Sequence, residues 1–257
     1  VIPDSLNIPS IRNFPSKIPR PPKTTHKRRK EVIKKGSYIN ENIYNERYKQ
    51  DDVKIALKNI YHSKCAFCEQ KIEQFHVEHY RPKQTYYWLA FSWDNLLLSC
   101  ATCNTNKDTN FDVIGHQANL TITLSTIRNI NNISAGYDIT ERPKMVNPEV
   151  TDPEGEIQFS KNGSVQSNNP RFAYTIDKCK IDRTDLNDSR RKILDDFEKD
   201  IISALSNSNI ANQKVEIAAF IKQFIRASQD KDHQFLGFRN YALSNNWLNN
   251  IIKNLKN

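Results

Sequence analysis

The sequence predicts a mainly helical α+β fold. Apolar residues recur at helical spacing over residues 187–207, 211–229 and 235–256, which is typical of helices that bury one face. Two short apolar runs, residues 75–77 and 96–99, are predicted to pair as a small hairpin. A Cys-x-x-Cys pair lies on each side of these runs. With 257 residues, 37% of them hydrophobic, the chain can bury a sizeable core.

Composition divides the chain into four predicted regions. They are a basic, proline-rich N-terminal arm (1–50), a core with the cysteine pairs (51–112), an irregular region with short strands near 120–124 and 157–159 (113–186), and a C-terminal helical subdomain (187–257). Apolar spacing from Val53 to Ile60 predicts a helix before the first cysteine pair. No apolar run approaches the roughly 18 residues of a membrane helix, and no secretory signal is visible. A cytoplasmic, reducing setting is expected.

The positive charge is concentrated in the arm. The net charge is +9, and residues 1–50 carry twelve Lys or Arg against four Asp or Glu. Six prolines in the same segment predict an extended arm up to about Lys23 (Pro3, Pro9, Pro15, Pro19, Pro21 and Pro22). The dense cluster Lys27, Arg28, Arg29, Lys30 suits contact with a phosphate backbone. A solvated tail, or an arm that docks on a partner protein, is the alternative.

The two cysteine pairs predict one structural zinc site. Cys65 and Cys68 form one pair, and Cys100 and Cys103 form the other. Each pair places two thiolates on a tight turn, and two such turns complete a tetrahedron. A disulfide or four unrelated core thiols would be the alternative, but disulfides require an oxidising compartment. The fifth cysteine, Cys179, is expected to be a small buried apolar residue.

The residues between and beside the cysteine pairs suit hydrolysis of a phosphodiester. This reaction needs a general base to activate water and a hard cation to stabilise charge at the phosphate. His79 can act as the base, and Glu78 and Asn104 offer oxygen ligands for the cation. Arg81, Lys83 and Lys107 can contact phosphate oxygens.

These residues together resemble the HNH nucleases. Their core, called ββα-metal, is a hairpin followed by a helix that grips a divalent ion such as Mg²⁺ or Mn²⁺. The resemblance implies that His79 is the general base and that Asn95 holds the backbone of the base across the hairpin. It implies that Glu78, where aspartate is commoner, and Asn104, at the final position of the motif, are the metal ligands. The predicted fold is then a zinc-stapled ββα-metal core with a C-terminal helical subdomain.

Flanking segments resemble one bacterial HNH subfamily, which includes the PtuB component of Septu anti-phage defence and is also found beside some retrons. These segments are Val77 to Lys83, Trp93 to Leu97, Val146 to Glu149, Asp152 to Glu154, Thr175 to Asp177 and Leu186 to Arg191. Residues 113–142 fit the pattern poorly and are interpreted as an insertion. The resemblance implies a PtuA-like ABC-type ATPase partner, and in some systems a retron RNA/DNA complex. Since the sequence lacks a phosphate-binding loop Gly-x-x-x-x-Gly-Lys-Ser/Thr, ATP would act through that other chain.

The predicted function is therefore a metal-dependent HNH endonuclease in anti-phage defence. HNH chemistry acts on the phosphate, so DNA and RNA both remain open as substrates. The alternative from another class is a non-cleaving, zinc-containing nucleic-acid-binding or scaffold protein. Such a protein would need the four cysteines but not Glu78, His79 or Asn104.

Overall fold

Helices dominate the part of the chain that the structure describes, and the strands found there form two antiparallel two-stranded sheets. The computed structural model describes residues 1–7 and 24–256. The predicted mainly helical α+β class is confirmed. In chain order up to the second strand, the elements are α1 (Thr25–Lys35), α2 (Asn42–Asn45), α3 (Asp51–Tyr61), β1 (His76–His79) and β2 (Leu96–Ser99). The following elements are α4 (Ala101–Lys107), α5 (Leu124–Arg128), α6 (Asp138–Glu141), β3 (Gln158–Phe159), β4 (Val165–Gln166), α7 (Pro170–Lys178), α8 (Thr184–Leu205), α9 (Ile210–Gln229), α10 (Leu236–Ser244) and α11 (Trp247–Lys256).

The β1–β2 hairpin separates two hydrophobic cores. His79 pairs with Leu96, and Glu78 pairs with Leu97. Alternate strand residues face opposite sides, so Leu97 joins the core that contains the four cysteines, whereas Leu96 and Leu98 join the core formed with α1 and α3. Glu78 and His79 therefore open onto different sides of the hairpin. The predicted run 75–77 is observed as a strand over His76–His79, and the expectation that this strand ends near His79 is confirmed.

The C-terminal helices pack around the cysteines. Helices α8 and α9 form an antiparallel pair, and their apolar faces belong to the same core as the cysteine side chains. The predicted helix over 235–256 is broken into α10 and α11. Asn246, at φ 58°, lies between them, and asparagine tolerates this left-handed conformation better than most residues. No described helix is both long enough and apolar enough to cross a membrane.

In the N-terminal region, predicted as a basic arm over residues 1–50 that is extended up to about Lys23, residues 8–23 lie outside the described residues, and α1 begins soon after them. Leu6 is fully buried, and the cluster Lys27 to Lys30 lies within α1, which begins after the cap Thr24 and ends at the left-handed Gly36. The guanidinium of Arg29 is buried and donates to the carbonyl oxygens of Leu6, at 3.3 Å, and Phe91, at 2.8 Å. The prolines at 9, 15, 19, 21 and 22 lie outside the described residues.

The middle region, predicted to be irregular with short strands, contains α5, α6 and α7 as well as β3 and β4. The strand expected near 157–159 is observed as β3, which pairs with β4. Residues 120–123 form no strand, and α5 begins directly after them. Part of this region, residues 134–141, packs against the end of β1 through Arg81, which links the predicted insertion to the candidate site.

Candidate active site and metal centre

The four cysteines meet at one point. Their Sγ atoms all lie within 4.8 Å of one another, all four side chains are buried, and none is in a disulfide. Tetrahedral zinc with Zn–S bonds of about 2.3 Å would place the sulfurs roughly 3.8 Å apart. Cys68 and Cys100 are 3.9 Å apart. The arrangement fits a structural zinc ion, which would join the turn before the hairpin to the start of α4.

Arg183 lies against this cysteine cluster. Its guanidinium donates to Cys103 Sγ at 3.6 Å and to Cys100 Sγ at 3.9 Å. Zn²⁺ with four thiolates carries a net charge of −2, so a neighbouring cation offsets part of the cost of burying it. No sequence pattern indicates this contact, because Arg183 is 80 residues from Cys103.

Glu78 and Asn104 come together where β1 faces α4. Cys100 caps α4 by accepting a hydrogen bond from the Cys103 amide at 3.4 Å, which fixes the first turn of the helix. Asn104 is the next residue, and its amide group donates to Glu78 Oε2. The cysteine cluster thus determines where the Asn104 side chain lies relative to the Glu78 carboxylate.

Lys107 ties the two neighbouring residues of β1 together. Its buried ammonium donates to Glu78 Oε1 at 2.9 Å and to the carbonyl oxygen of His79 at 2.8 Å. Lys107 is fully buried, so its predicted contact with substrate phosphate is disfavoured by this arrangement. The observed contacts instead orient the Glu78 carboxylate.

His79 faces the other side of the hairpin. Its Nε2 donates to the Ala90 carbonyl at 2.9 Å, and its ring packs edge-on against Tyr48 with centroids 4.5 Å apart. Because a carbonyl can only accept, Nε2 carries the proton and the neutral ring keeps its lone pair on Nδ1. Burial, with smaller contributions from nearby lysines that include Lys83, lowers the pKa of His79 to about 3. The imidazole is therefore neutral, and so low a pKa makes it a weaker base than a histidine whose pKa lies near the working pH.

Asn95 holds the chain just beyond His79. Its side-chain oxygen accepts from the Arg81 amide at 2.8 Å, and its side-chain nitrogen donates to the Arg81 carbonyl at 3.0 Å. The Asn95 carbonyl accepts from the amide of Tyr80 at 2.9 Å. Asn95 is fully buried, so these bonds extend the pairing of the hairpin past its last strand residue.

Arg81 lies in the interior of the protein. It is fully buried, and its guanidinium donates to Glu141 at 2.8 Å, to Ser134 at 2.8 Å and to Asp138 at 2.5 Å. These partners satisfy the charge internally, which disfavours the predicted phosphate contact. Glu141 also accepts from Tyr86 and from the Ala118 amide, so the acidic residues of the insertion anchor the end of the hairpin.

The other basic residues predicted to contact phosphate differ in how far they are exposed. Arg28 and Arg29 are buried within α1, and Arg28 pairs with Glu31 at 2.9 Å. Lys27 and Lys30 are exposed, and Lys83 is half-buried beside the candidate site.

Cys179 is fully buried and lies outside the cysteine cluster, and burial raises the pKa of its thiol, which is typical of an inert core cysteine.

The donor chemistry at Glu78 and Asn104 fits a hard divalent ion. A carboxylate and an amide oxygen are ligands that Mg²⁺ accepts, and Mg²⁺ commonly keeps several waters beside one or two protein ligands. Among residues 1–7 and 24–256, the cysteines form the only cluster of three or more His, Cys, Asp or Glu ligands. A second ion would thus have few protein ligands, which leaves room for water and phosphate.

Comparison with known proteins agrees with this geometry. Residues 65–110 match the family model described as HNH endonuclease. The chain carries an HNH endonuclease domain. This domain spans both cysteine pairs, the hairpin and α4, and the predicted family is confirmed. No solved structure matches the chain.

Two curated relatives are both called Septu protein PtuB. The protein from Bacillus mycoides (strain KBAB4) is 27% identical over 207 residues, which covers 74% of this chain and 63% of that protein. The protein from Bacillus thuringiensis is 41% identical over 61 residues, which covers 22% of this chain and 24% of that protein. The chain spans less than two thirds of the length of either relative. The similarity supports the predicted subfamily and the predicted hydrolase class.

Proposed function

We propose that the HNH domain makes this chain a metal-dependent endonuclease that hydrolyses phosphodiester bonds in DNA or RNA. The observation that carries the proposal is the meeting of Glu78 with Asn104, one residue after a cysteine of the cluster, while the ring of the adjacent His79 is held by the Ala90 carbonyl. Together they offer an oxygen site for a cation and a base for water, which are the two requirements of this hydrolysis.

In the proposed mechanism, the protein positions the base and the ligands before substrate arrives. The Ala90 carbonyl fixes the ring of His79 so that Nδ1 accepts a proton from the attacking water. Asn95 holds the backbone beyond His79, and Lys107 holds the Glu78 carboxylate. A divalent ion such as Mg²⁺ or Mn²⁺, held by Glu78 and Asn104, would stabilise negative charge on the phosphate and the leaving oxygen.

We propose that this nuclease acts in anti-phage defence. The support is the similarity to two Septu PtuB proteins, together with the flanking motifs of the sequence. In this proposal the chain works with an ABC-type, PtuA-like ATPase that controls when the nuclease cuts. A retron RNA/DNA complex is a further proposed partner, on the weaker ground of the subfamily resemblance.

The ion pair of Lys107 with Glu78 favours an alternative function in which the hairpin has only a structural role. A carboxylate already neutralised by a buried ammonium is also what a purely structural hairpin would show. The chain would then be a zinc-stapled protein that binds nucleic acid or a partner without cutting. This alternative requires no second metal ion.

Cleavage assays separate the two functions. Wild-type chain with its zinc content verified by elemental analysis is expected to cut plasmid DNA or total RNA when Mg²⁺ or Mn²⁺ is added, and not after dialysis against a weak chelator that leaves zinc bound. The assay is run with the chain alone and with the neighbouring ATPase and ATP. Binding without cleavage under every one of these conditions would favour the non-cleaving alternative.

A further inference from the structure

A segment before the HNH domain forms one wall of the candidate active site. Residues 38–49 precede the matched region 65–110, yet Tyr48 is buried there with its ring against His79. The Oδ1 atom of Asn45 accepts from the hydroxyl of Tyr38 at 2.8 Å and from that of Tyr48 at 3.4 Å. One asparagine thus holds both tyrosine rings in place, so the wall has a defined structure.

Two ammonium groups lie over these rings. Lys83 Nζ is 5.3 Å from the centroid of Tyr38 and 5.7 Å from that of Tyr48. Lys49 Nζ is 5.5 Å from the centroid of Tyr48. A cation within about 6 Å of a ring face is attracted to it, which holds both flexible side chains near His79.

Neither ammonium group has an anionic partner at contact distance among the described residues. The side chains of Lys49 and Lys83 make ring contacts there but no ion pair or hydrogen bond. Lys107, by contrast, is paired with Glu78. Lys83 is half-buried, so its charge has lost part of its hydration without gaining a counter-ion.

The charges around Lys83 leave a positive excess. Burial lowers the pKa of Lys83, Lys49 and Lys107 lower it further, and Glu78 and Asp108 oppose the shift. Glu78 is already committed to Lys107, and Asp108 is exposed. Two like charges held beside one ring repel each other, and an anion between or beside them would relieve that repulsion.

We propose that Lys49 and Lys83 form a phosphate-binding subsite beside His79, held by the rings of Tyr38 and Tyr48. Its ligands are the nucleic-acid backbone phosphates that flank the bond to be cut. The inference rests on the proposed nuclease function and adds to it a substrate-positioning element from outside the matched domain. Lys49 and Lys83 are positioning residues in this proposal, and neither one transfers a proton.

The test compares Lys49→Gln, Lys83→Gln and the double variant with wild type. Each substitution is expected to raise KM on the order of tenfold, because a charged hydrogen bond to phosphate is lost, while single-turnover cleavage at saturating substrate stays near wild type. Binding is measured separately in the His79→Ala background with labelled duplex DNA and labelled single-stranded RNA. The plot of log K against log salt concentration has a negative slope. This slope should become shallower by about one for each lysine removed.

Two controls isolate the subsite. Lys199→Gln removes the same charge from an exposed lysine of α8 that pairs with Asp196, and it should change neither KM nor the salt slope. Lys83→Arg keeps the cation and should retain most of the binding. Unchanged KM and salt slope in the double variant, with wild type active, would overturn the subsite and leave the nuclease intact. If wild type binds nucleic acid but never cuts it, the proposed function fails, and the salt slopes still decide whether the subsite exists.

Discussion

Replacing His79 with alanine is expected to lower single-turnover cleavage by about 10²–10⁴-fold, the usual cost of losing a general base. The physical reason is that His79 holds the neutral nitrogen assigned to take the proton of water. The measurement is the rate of cleavage at saturating substrate and metal, with zinc content and melting temperature recorded for each preparation.

The His79 ring also has structural contacts, so a second variant is needed. It packs against Tyr48 and donates to the Ala90 carbonyl, and alanine removes both contacts. His79→Asn keeps a donor for the carbonyl but cannot act as a base. Both variants should be inactive while retaining zinc. Wild-type turnover in either folded variant would rule out His79 as the base.

Replacing Cys68 or Cys103 with serine is expected to remove zinc and unfold the protein at much lower temperature. Structural zinc sites have apparent binding free energies of roughly 10–16 kcal/mol in small domains, and that energy is coupled to folding. Here the cysteines belong to the core shared with α8 to α11, so loss of the ion should loosen the packing of these helices. Elemental analysis and thermal denaturation measure the two effects.

Cys179→Ala is the matched control for the cysteine variants. Cys179 is equally buried but lies outside the cluster, so its loss should leave zinc content unchanged and lower stability only modestly. If Cys68→Ser kept full zinc and melted like Cys179→Ala, the four cysteines would not form one site.

Local spacing made the centre of the site predictable. The two Cys-x-x-Cys turns and the run 96–99 each lie within a few residues of chain, and the structure places the cysteine side chains together and β2 at that run. Because Asn104 directly follows Cys103 on one helix, the position of Cys103 also limits where the side-chain amide of Asn104 can lie. Glu78 and Asn104 are 26 residues apart and meet because the hairpin and α4 share the cysteine cluster.

Burial of the basic residues was not predictable from the sequence. Arginine and lysine are mostly exposed in proteins, so Arg28, Arg29, Arg81 and Lys107 were interpreted as phosphate contacts. Arg81 instead meets Glu141, 60 residues away in a segment without regular pattern. Such pairing depends on the tertiary fold, and neither periodicity nor spacing encodes it.

The wall beside His79 was likewise not predictable from the sequence. Tyr48 and Lys49 lie in a segment that was interpreted as part of a basic arm, because its charge and prolines dominate its composition. Tyr48 contacts His79 and Lys83, and Lys49 contacts the Tyr48 ring, only when α1 and α3 pack on the hairpin. Tyr48 and Lys49 lie outside the matched residues 65–110, so the family motif does not predict them.

Binding of Mn²⁺ to zinc-loaded protein tests the central claim most directly, because the claim requires a second metal ion at Glu78 and Asn104. Electron paramagnetic resonance titration should show Mn²⁺ bound to wild type in addition to the zinc. Glu78→Gln should weaken that binding by at least about tenfold, and Glu73→Gln, at an exposed position before β1, should not change it. Equal Mn²⁺ affinity in wild type and Glu78→Gln, with zinc retained in both, would contradict the account.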